Sequence, residues 1–206
     1  MRPFRVHRGV VAPLPMANVD TDQIIPARYL HRPREEGFGD VLFADLRRDE
    51  SGAPQSLFIL ENPAYGGASI IVAGDNFGCG SSREHAVWAL VDAGFRVVLA
   101  PSFGDIFSTN ALMNGLLVIV LPPEDISGLM MRAEAESSFA IEVDLPAQRV
   151  RAEKLELWFE ISAHSKQALL EGLSETAMTL RLESEIALFE ANHAQHSAWL
   201  QRLPGE

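Results

Sequence analysis

The stretch Asp75-Asn76-Phe77-Gly78-Cys79-Gly80-Ser81-Ser82-Arg83-Glu84-His85 gathers a thiol, two hydroxyls, a guanidinium and an imidazole around two glycines. Glycine lets a backbone approach a ligand closely and adopt positive φ. A helical pattern begins just after the serines. The free N–H groups and dipole of a helix N-terminus favour an anion. An arginine at that place can grip a carboxylate through two parallel hydrogen bonds. A small carboxylate therefore suits the site, and the same positive potential can make a serine hydroxyl acidic enough to act as a base. The pattern is not a P-loop, because the Gly-Lys-Ser/Thr ending is absent, and its glycine spacing is not the dinucleotide fingerprint. Two other readings stand beside it. Cys79 and His85 could form a nucleophile and base, or the turn could serve packing alone.

The flanking pattern must position these groups. Ser69 to Gly74 is a β-branched run that reads as a buried strand. Ser81 or Ser82 is placed to cap a helix running to about Asp92, with Gly94 as its stop and Ala86, Ala89 and Leu90 on one apolar face. Arg96 to Ala100 reads as a strand, Gly104 to Met113 as a helix, Leu116 to Leu121 as a strand and Glu124 to Glu136 as a helix. Such alternation predicts a largely parallel sheet with crossover helices. Val6 to Leu14 reads as an edge strand, and Asn18 to Tyr29 as an ordered loop with a short helical turn outside the core. Phe139 to Leu145 and Glu153 to Glu160 alternate at period two and predict a hairpin separated by Pro146 to Arg151. Ser165 to Gln201 reads as helices, with Gly172 interrupting them, and no linker demands a second domain.

The bulk numbers narrow the function. A length of 206 residues with 47% hydrophobic content fits one globular domain. The formal net charge of -11 gives no footprint for nucleic acid, and an anionic substrate needs local cations or a partner that supplies them. The one cysteine, Cys79, makes no intramolecular disulfide and cannot by itself hold an iron–sulfur cluster. Neither a signal peptide nor a membrane span is legible, so the expected location is cytoplasmic.

The run from Asn76 to Ala86 resembles the signature of the mobile, or swivel, domain of the aconitase superfamily. In its Cys79 form it is similar to the small-subunit family of bacterial 3-isopropylmalate dehydratases. Three further blocks carry the resemblance in order: Asn18-Val19-Asp20-Thr21-Asp22-Gln23-Ile24-Ile25-Pro26, Pro101 to Phe107 with Asn110, and Asn114-Gly115-Leu116-Leu117. The resemblance implies a three-layer α/β fold (β/β/α) with a small, mostly parallel sheet and a helical tail over about residues 164–206. It implies catalysis shared with a large subunit, in a 1:1 heterodimer. The large subunit holds a [4Fe-4S] cluster, and this chain holds no metal. By position, Ser81 is implied as the base and Asp22 as a second active-site group, with Ser82 and Arg83 binding a substrate carboxylate. The loop Ala27 to Arg32 is implied in recognition of the substrate's variable group, through Tyr29 and Leu30 or through Arg28 and Arg32.

The implied reaction converts 2-isopropylmalate through 2-isopropylmaleate to 3-isopropylmalate in leucine biosynthesis. Val87 and Val118 stand where the family commonly carries proline, and the segments His164 to Gln167 and Glu171 to Ser174 also depart from its pattern. These departures leave open a paralogous dehydratase acting on methylmalate, dimethylmalate or homoaconitate. A non-catalytic regulatory subunit is the third possibility.

Overall fold

The computed structural model describes residues 1–49, 51–55 and 58–196. Strand β1 (Val6–Leu14) is followed by two four-residue helices, α1 (Thr21–Ile24) and α2 (Ala44–Arg47). Next come β2 (Ala68–Ala73), α3 (Glu84–Asp92), β3 (Val97–Ala100), α4 (Asp105–Met113), β4 (Leu117–Val120) and α5 (Pro123–Ala135). Strands β5 (Ala140–Asp144), β6 (Arg149–Ala152) and β7 (Leu155–Trp158) precede α6 (Ala163–Glu171). These elements form one unit, Met1–Gly172. A second unit, Leu173–Glu206, contains α7 (Glu175–Leu180) and α8 (Glu183–His196). The expected helical tail is thus helical to His196, and its remainder lies outside the described residues.

The described strands form one sheet in the order β4-β3-β2-β1-β5-β6-β7. The pairings from β4 to β1 are parallel, and those from β1 to β7 are antiparallel. The sheet is therefore mixed, with the expected parallel half extended by an antiparallel one. Strand β1 is central, not an edge. Pro13, which has no N–H to donate to a second neighbour, is tolerated in this central strand. Its ladder with β5 covers only Val6 to Val10, so β1 has one strand neighbour by the time Pro13 is reached.

The expected hairpin is a three-stranded meander. Arg149–Ala152, read from sequence as part of a separator, is β6. Val150 and Ala152 are buried while Arg149 and Arg151 are half-exposed, so the strand alternates, but two arginines in four residues resemble a surface turn.

Alternation on the parallel strands divides the interior in two. Ala12, Ile71, Ala73, Val98 and Ala100 face α3 and α4 through Ala86, Ala89, Leu90, Phe107 and Ala111. Val11, Ile70, Val72, Val97 and Leu99 face α5 through Ile126, Leu129 and Ala133, together with Ile141, Val143 and Val150 of the meander. Burial of both faces explains why β2 reads as an unbroken apolar run.

The segment after β1 belongs to the core, against the sequence expectation. Val19, Ile24 and Ile25 are fully buried. Asp20 caps α1 by accepting the Gln23 N–H, while the Gln23 side chain accepts the Asp20 N–H, a reciprocal capping box. The polar residues satisfy the helix end and the isoleucines turn inward. Asp92, at the end of α3, anchors the excursion that follows. It accepts two bonds from Arg34, at 2.7 and 2.8 Å, and the backbone N–H of fully buried Phe38 at 2.9 Å.

Replacing Asp92 with alanine leaves that N–H without its acceptor. Asp92→Ala is expected to cost about 1–3 kcal/mol, the penalty of an unsatisfied buried donor, with little added by the partly exposed Arg34 pair. A urea titration checks this through a lower midpoint at unchanged slope.

Candidate functional site

Three loops meet at the carboxyl ends of β1, β2 and β3, the edge at which open parallel sheets bind ligands. The loop after β2 lies between the other two and bonds to both. Asn18 N–H donates to Asp75 O at 2.8 Å, Gly78 N–H to Val19 O at 2.7 Å, and Thr21 N–H to Cys79 O at 3.0 Å. On the other side, Phe77 N–H donates to Ser102 O at 3.1 Å and Gly104 N–H to Phe77 O at 2.9 Å. Ser102 Oγ donates to Asp75 Oδ1 at 2.5 Å and accepts Asn76 N–H at 2.9 Å. Gly78 has φ +74°, and a Cβ there would lie 2.2 Å from the Phe107 ring. Gly80 has φ +89°, but with 3.5 Å of clearance to the nearest atom.

Arg83 is still extended (φ −140°, ψ 103°), and α3 starts at Glu84. This corrects the expected cap. The residue at the cap position is Arg83, which makes no side-chain cap bond, so Ser81 and Ser82 lie before the helix. Both serines are exposed, and among the described residues neither hydroxyl has a hydrogen-bond partner. The Ser81 backbone is nevertheless fixed. Its carbonyl accepts a 2.8 Å bond from Thr21 Oγ1, a side chain on α1 that is only 2% exposed. Thr21 was quoted in a motif but given no role at the sequence level. A buried threonine between two aspartates is the signal that could have found it, since such a hydroxyl needs a partner.

Asp22 and Arg83 come together in an ion pair between Asp22 Oδ1 and Arg83 Nη1. The Asp22 side chain is 54% exposed and that of Arg83 only 17%. One terminal nitrogen is thus engaged, leaving other guanidinium donors for a ligand. Ser81, Ser82, Arg83 and Asp22 form one constellation, tied by this pair and by the Thr21 bond. Tyr29 and Leu30 follow α1 in a short 3-10 turn and pack, half-buried, against the core.

The arginines around Tyr29 and Leu30 are already committed. Arg28 donates to both oxygens of Asp45, at 3.1 and 2.5 Å, and lies 4.7 Å from the Tyr29 ring centre. Arg32 donates to both oxygens of Asp40, at 2.6 and 3.1 Å, and also to Glu36. The Arg32 bonds hold the Asp40 carboxyl below the usual carboxylate range. The Arg28 bonds do the same to Asp45. Such exposed pairs add little to stability; their consequence is that the loop carries no unbalanced positive charge from these two residues.

His85 does not pair with Cys79. Its ring lies edge-on to Phe38 at 5.4 Å and 4.6 Å from the Trp88 ring. Burial, and then the Arg83 charge, push its pKa down against the opposing effect of Glu84. A neutral ring packed on aromatics is a structural element. Asn114 completes the frame by accepting Trp88 Nε1–H at 3.1 Å and donating to Glu84 Oε1 at 2.9 Å, which ties α3 to the end of α4. No cluster of three or more His, Cys, Asp or Glu suited to a metal occurs among the described residues. None of their helices is long and apolar enough to cross a membrane.

The mixed sheet and the loop cluster at its carboxyl edge define a swivel-type domain of the aconitase class, and the family model described as the aconitase C-terminal domain matches residues 1–124. Two curated relatives, the 3-isopropylmalate dehydratase small subunits of Koribacter versatilis and Brevibacillus brevis, are 49% and 48% identical. The alignments cover 94% and 93% of this chain and 100% and 99% of theirs. The crystal structure of a 3-isopropylmalate dehydratase from Methanocaldococcus jannaschii superposes with a TM-score of 0.63 at 25% identity, over 90% of this chain and 99% of that one. The chain belongs to the family of 3-isopropylmalate dehydratase small subunits.

The two glycines of the turn should respond differently to alanine. Gly80→Ala meets only the backbone cost of positive φ, about 1–2 kcal/mol. Gly78→Ala adds a clash with the Phe107 ring, for a total of roughly 2–4 kcal/mol. Denaturation midpoints of the two variants, measured side by side, check the order; equal losses would contradict the packing described here.

Proposed function

We propose that this chain is the small subunit of a 3-isopropylmalate dehydratase, a hydro-lyase that converts 2-isopropylmalate to 3-isopropylmalate through 2-isopropylmaleate in leucine biosynthesis. The observation that carries the mechanistic reading is the Ser81 hydroxyl, exposed and uncommitted on a backbone held by Thr21, two residues before Arg83 and three before the start of α3. The Ser81 alkoxide takes the proton from the carbon α to a substrate carboxylate, the C–H electron pair forms the double bond, and the hydroxyl of the neighbouring carbon leaves with its bonding pair as water, its proton delivered through Asp22. Rehydration in the other sense returns the proton from Ser81. Deprotonated serine is a strong base that needs positive potential. The Arg83 guanidinium and the first N–H groups of α3 supply it.

Arg83 and the Ser82 hydroxyl hold a substrate carboxylate, Arg83 through the donors not used by Asp22. Asp22 orients Arg83 and is the second proton-transfer group. Tyr29 and Leu30 present apolar surface to the isopropyl group. Because Arg28 and Arg32 are paired with Asp45 and with Asp40 and Glu36, the loop favours that apolar group over the additional carboxylate of a homoaconitate-like substrate.

The chain has one cysteine, and its donor set does not fit a [4Fe-4S] cluster. The cluster belongs to a large-subunit partner in a 1:1 complex, where it supplies Lewis-acid polarisation of the substrate. The whole chain acts as one swivel-type domain in the cytoplasm, with the functional residues inside Met1–Gly172.

The experiment is anaerobic reconstitution with the large subunit, following 2-isopropylmalate dehydration by the absorbance of the unsaturated product. Ser81→Ala is expected to lower turnover by roughly 10²–10⁴-fold, the range for loss of a positioned base, while complex formation by size exclusion is retained. Turnover only on another malate derivative would move the substrate and keep the mechanism. A Ser81→Ala complex with wild-type activity would remove the serine from its role.

A further inference from the structure

The opposite end of the parallel strands carries a second concentration of charge. Arg2, Arg5 and His7, from the start of the chain, and Arg96, just before β3, line a pocket of about 160 Å³ beside buried Phe4. The pocket lies at the amino ends of β1 and β3, whereas the Ser81 loop follows the carboxyl end of β2. The six residues of β2 put about 20 Å between the two places.

The pocket is built from fixed parts. Arg96 Nη2 donates to Pro3 O at 3.5 Å, its guanidinium lies 5.4 Å from the Phe4 ring centre, and its backbone N–H donates to Ser69 O at 2.8 Å. His7 Nε2 and Ser69 Oγ are hydrogen-bonded at 2.8 Å. Burial first, and then the charge of Arg2, lower the pKa of Arg96. Burial, then Arg96 and Arg2, lower that of His7. Arg96 is therefore partly removed from water beside a second cation, which is costly without a counter-charge.

Among the described residues the protein supplies none. Elsewhere arginines hold carboxylates: Arg28 with Asp45, Arg32 with Asp40, Arg34 with Asp92, Arg47 with Glu61 and Arg83 with Asp22. Among the described residues, no carboxylate forms an ion pair with Arg2, Arg5 or Arg96. Asp144, opposite Val6 on β5, instead accepts the Ala147 N–H at 2.8 Å. In a chain with 28 acidic and 17 basic residues, a pocket of cations without an acid is chemically specific.

We propose that this pocket is a binding site for a small phosphate-type oxyanion, separate from the dehydratase site. Guanidinium groups match the oxygens of such a ligand through paired, charge-assisted bonds. Three of them, two from the chain start and one from the residue before β3, suit a tetrahedral group that offers oxygens in several directions better than a planar carboxylate. The volume admits a single phosphoryl group and falls well short of the several hundred Å³ that a nucleotide-sized ligand occupies.

The test is titration of the full-length chain with inorganic phosphate by calorimetry, against chloride at matched ionic strength. Saturable one-to-one binding is expected, weakened roughly tenfold or more by Arg2→Gln and by Arg96→Gln, as for loss of a charged hydrogen-bonding partner. Circular dichroism confirms that the variants fold, and exposed Arg2 keeps the test open should Arg96→Gln not. Arg83→Gln is expected to leave binding unchanged, which separates this pocket from the substrate site. Absence of saturable binding overturns the proposal. So does loss in Arg83→Gln with retention in Arg2→Gln, or equal affinity for malonate. Loss of phosphate binding when the large subunit is added would assign these arginines to the subunit interface and equally overturn it.

Discussion

One buried hydroxyl connects the scaffold to the segment that carries Ser81 and Arg83. Thr21 Oγ1 donates to the Ser81 carbonyl at 2.8 Å from a side chain that solvent scarcely reaches. Water cannot readily replace that bond, so breaking it leaves a buried donor unsatisfied. The constraint fixes the backbone between two exposed hydroxyls, those of Ser81 and Ser82, while leaving the hydroxyls free. Its geometry depends on α1, and α1 depends on the reciprocal cap between Asp20 and Gln23. A short helix of four residues can hold this position because Val19, Ile24 and Ile25 around it are fully buried. The order of the site therefore comes from packing beneath the loops, through hydrogen bonds that link the strand ends.

Electrostatics follow a related logic. An acidic protein can still offer an anion a favourable place if its local cations are selectively paired. Arg83 is anchored by Asp22 through one nitrogen and keeps donors for a ligand. Arg28 and Arg32 are paired with carboxylates on both of their outer nitrogens, so the neighbouring loop presents Tyr29 and Leu30 instead of net charge. Pairing decides where positive potential remains, and the overall charge does not.

The sequence by itself determined the parallel half of the sheet, because each strand is an apolar run followed by a helical pattern and a turn. It also singled out the segment proposed as the site, since glycines, serines and an arginine before a helix form a recognisable motif. Ser81, Ser82, Arg83 and Asp22 were all legible as motif positions. Other features depended on contacts between distant segments. Glycine-rich chemistry marked the turn, but only the Phe107 ring explains why residue 78 has no room for a side chain. The central place of β1 tolerates Pro13, whose missing donor is harmless only because β5 has already left that strand. Arginines concealed β6, and two serines suggested a helix cap that the extended backbone at Arg83 moved by a residue. Tertiary structure alone paired Arg28 with Asp45 across 17 residues and brought Thr21 to Ser81 across 60. Residue type and local spacing specify what a segment can do; which donor meets which acceptor is set by the packing of elements that are not neighbours in the chain.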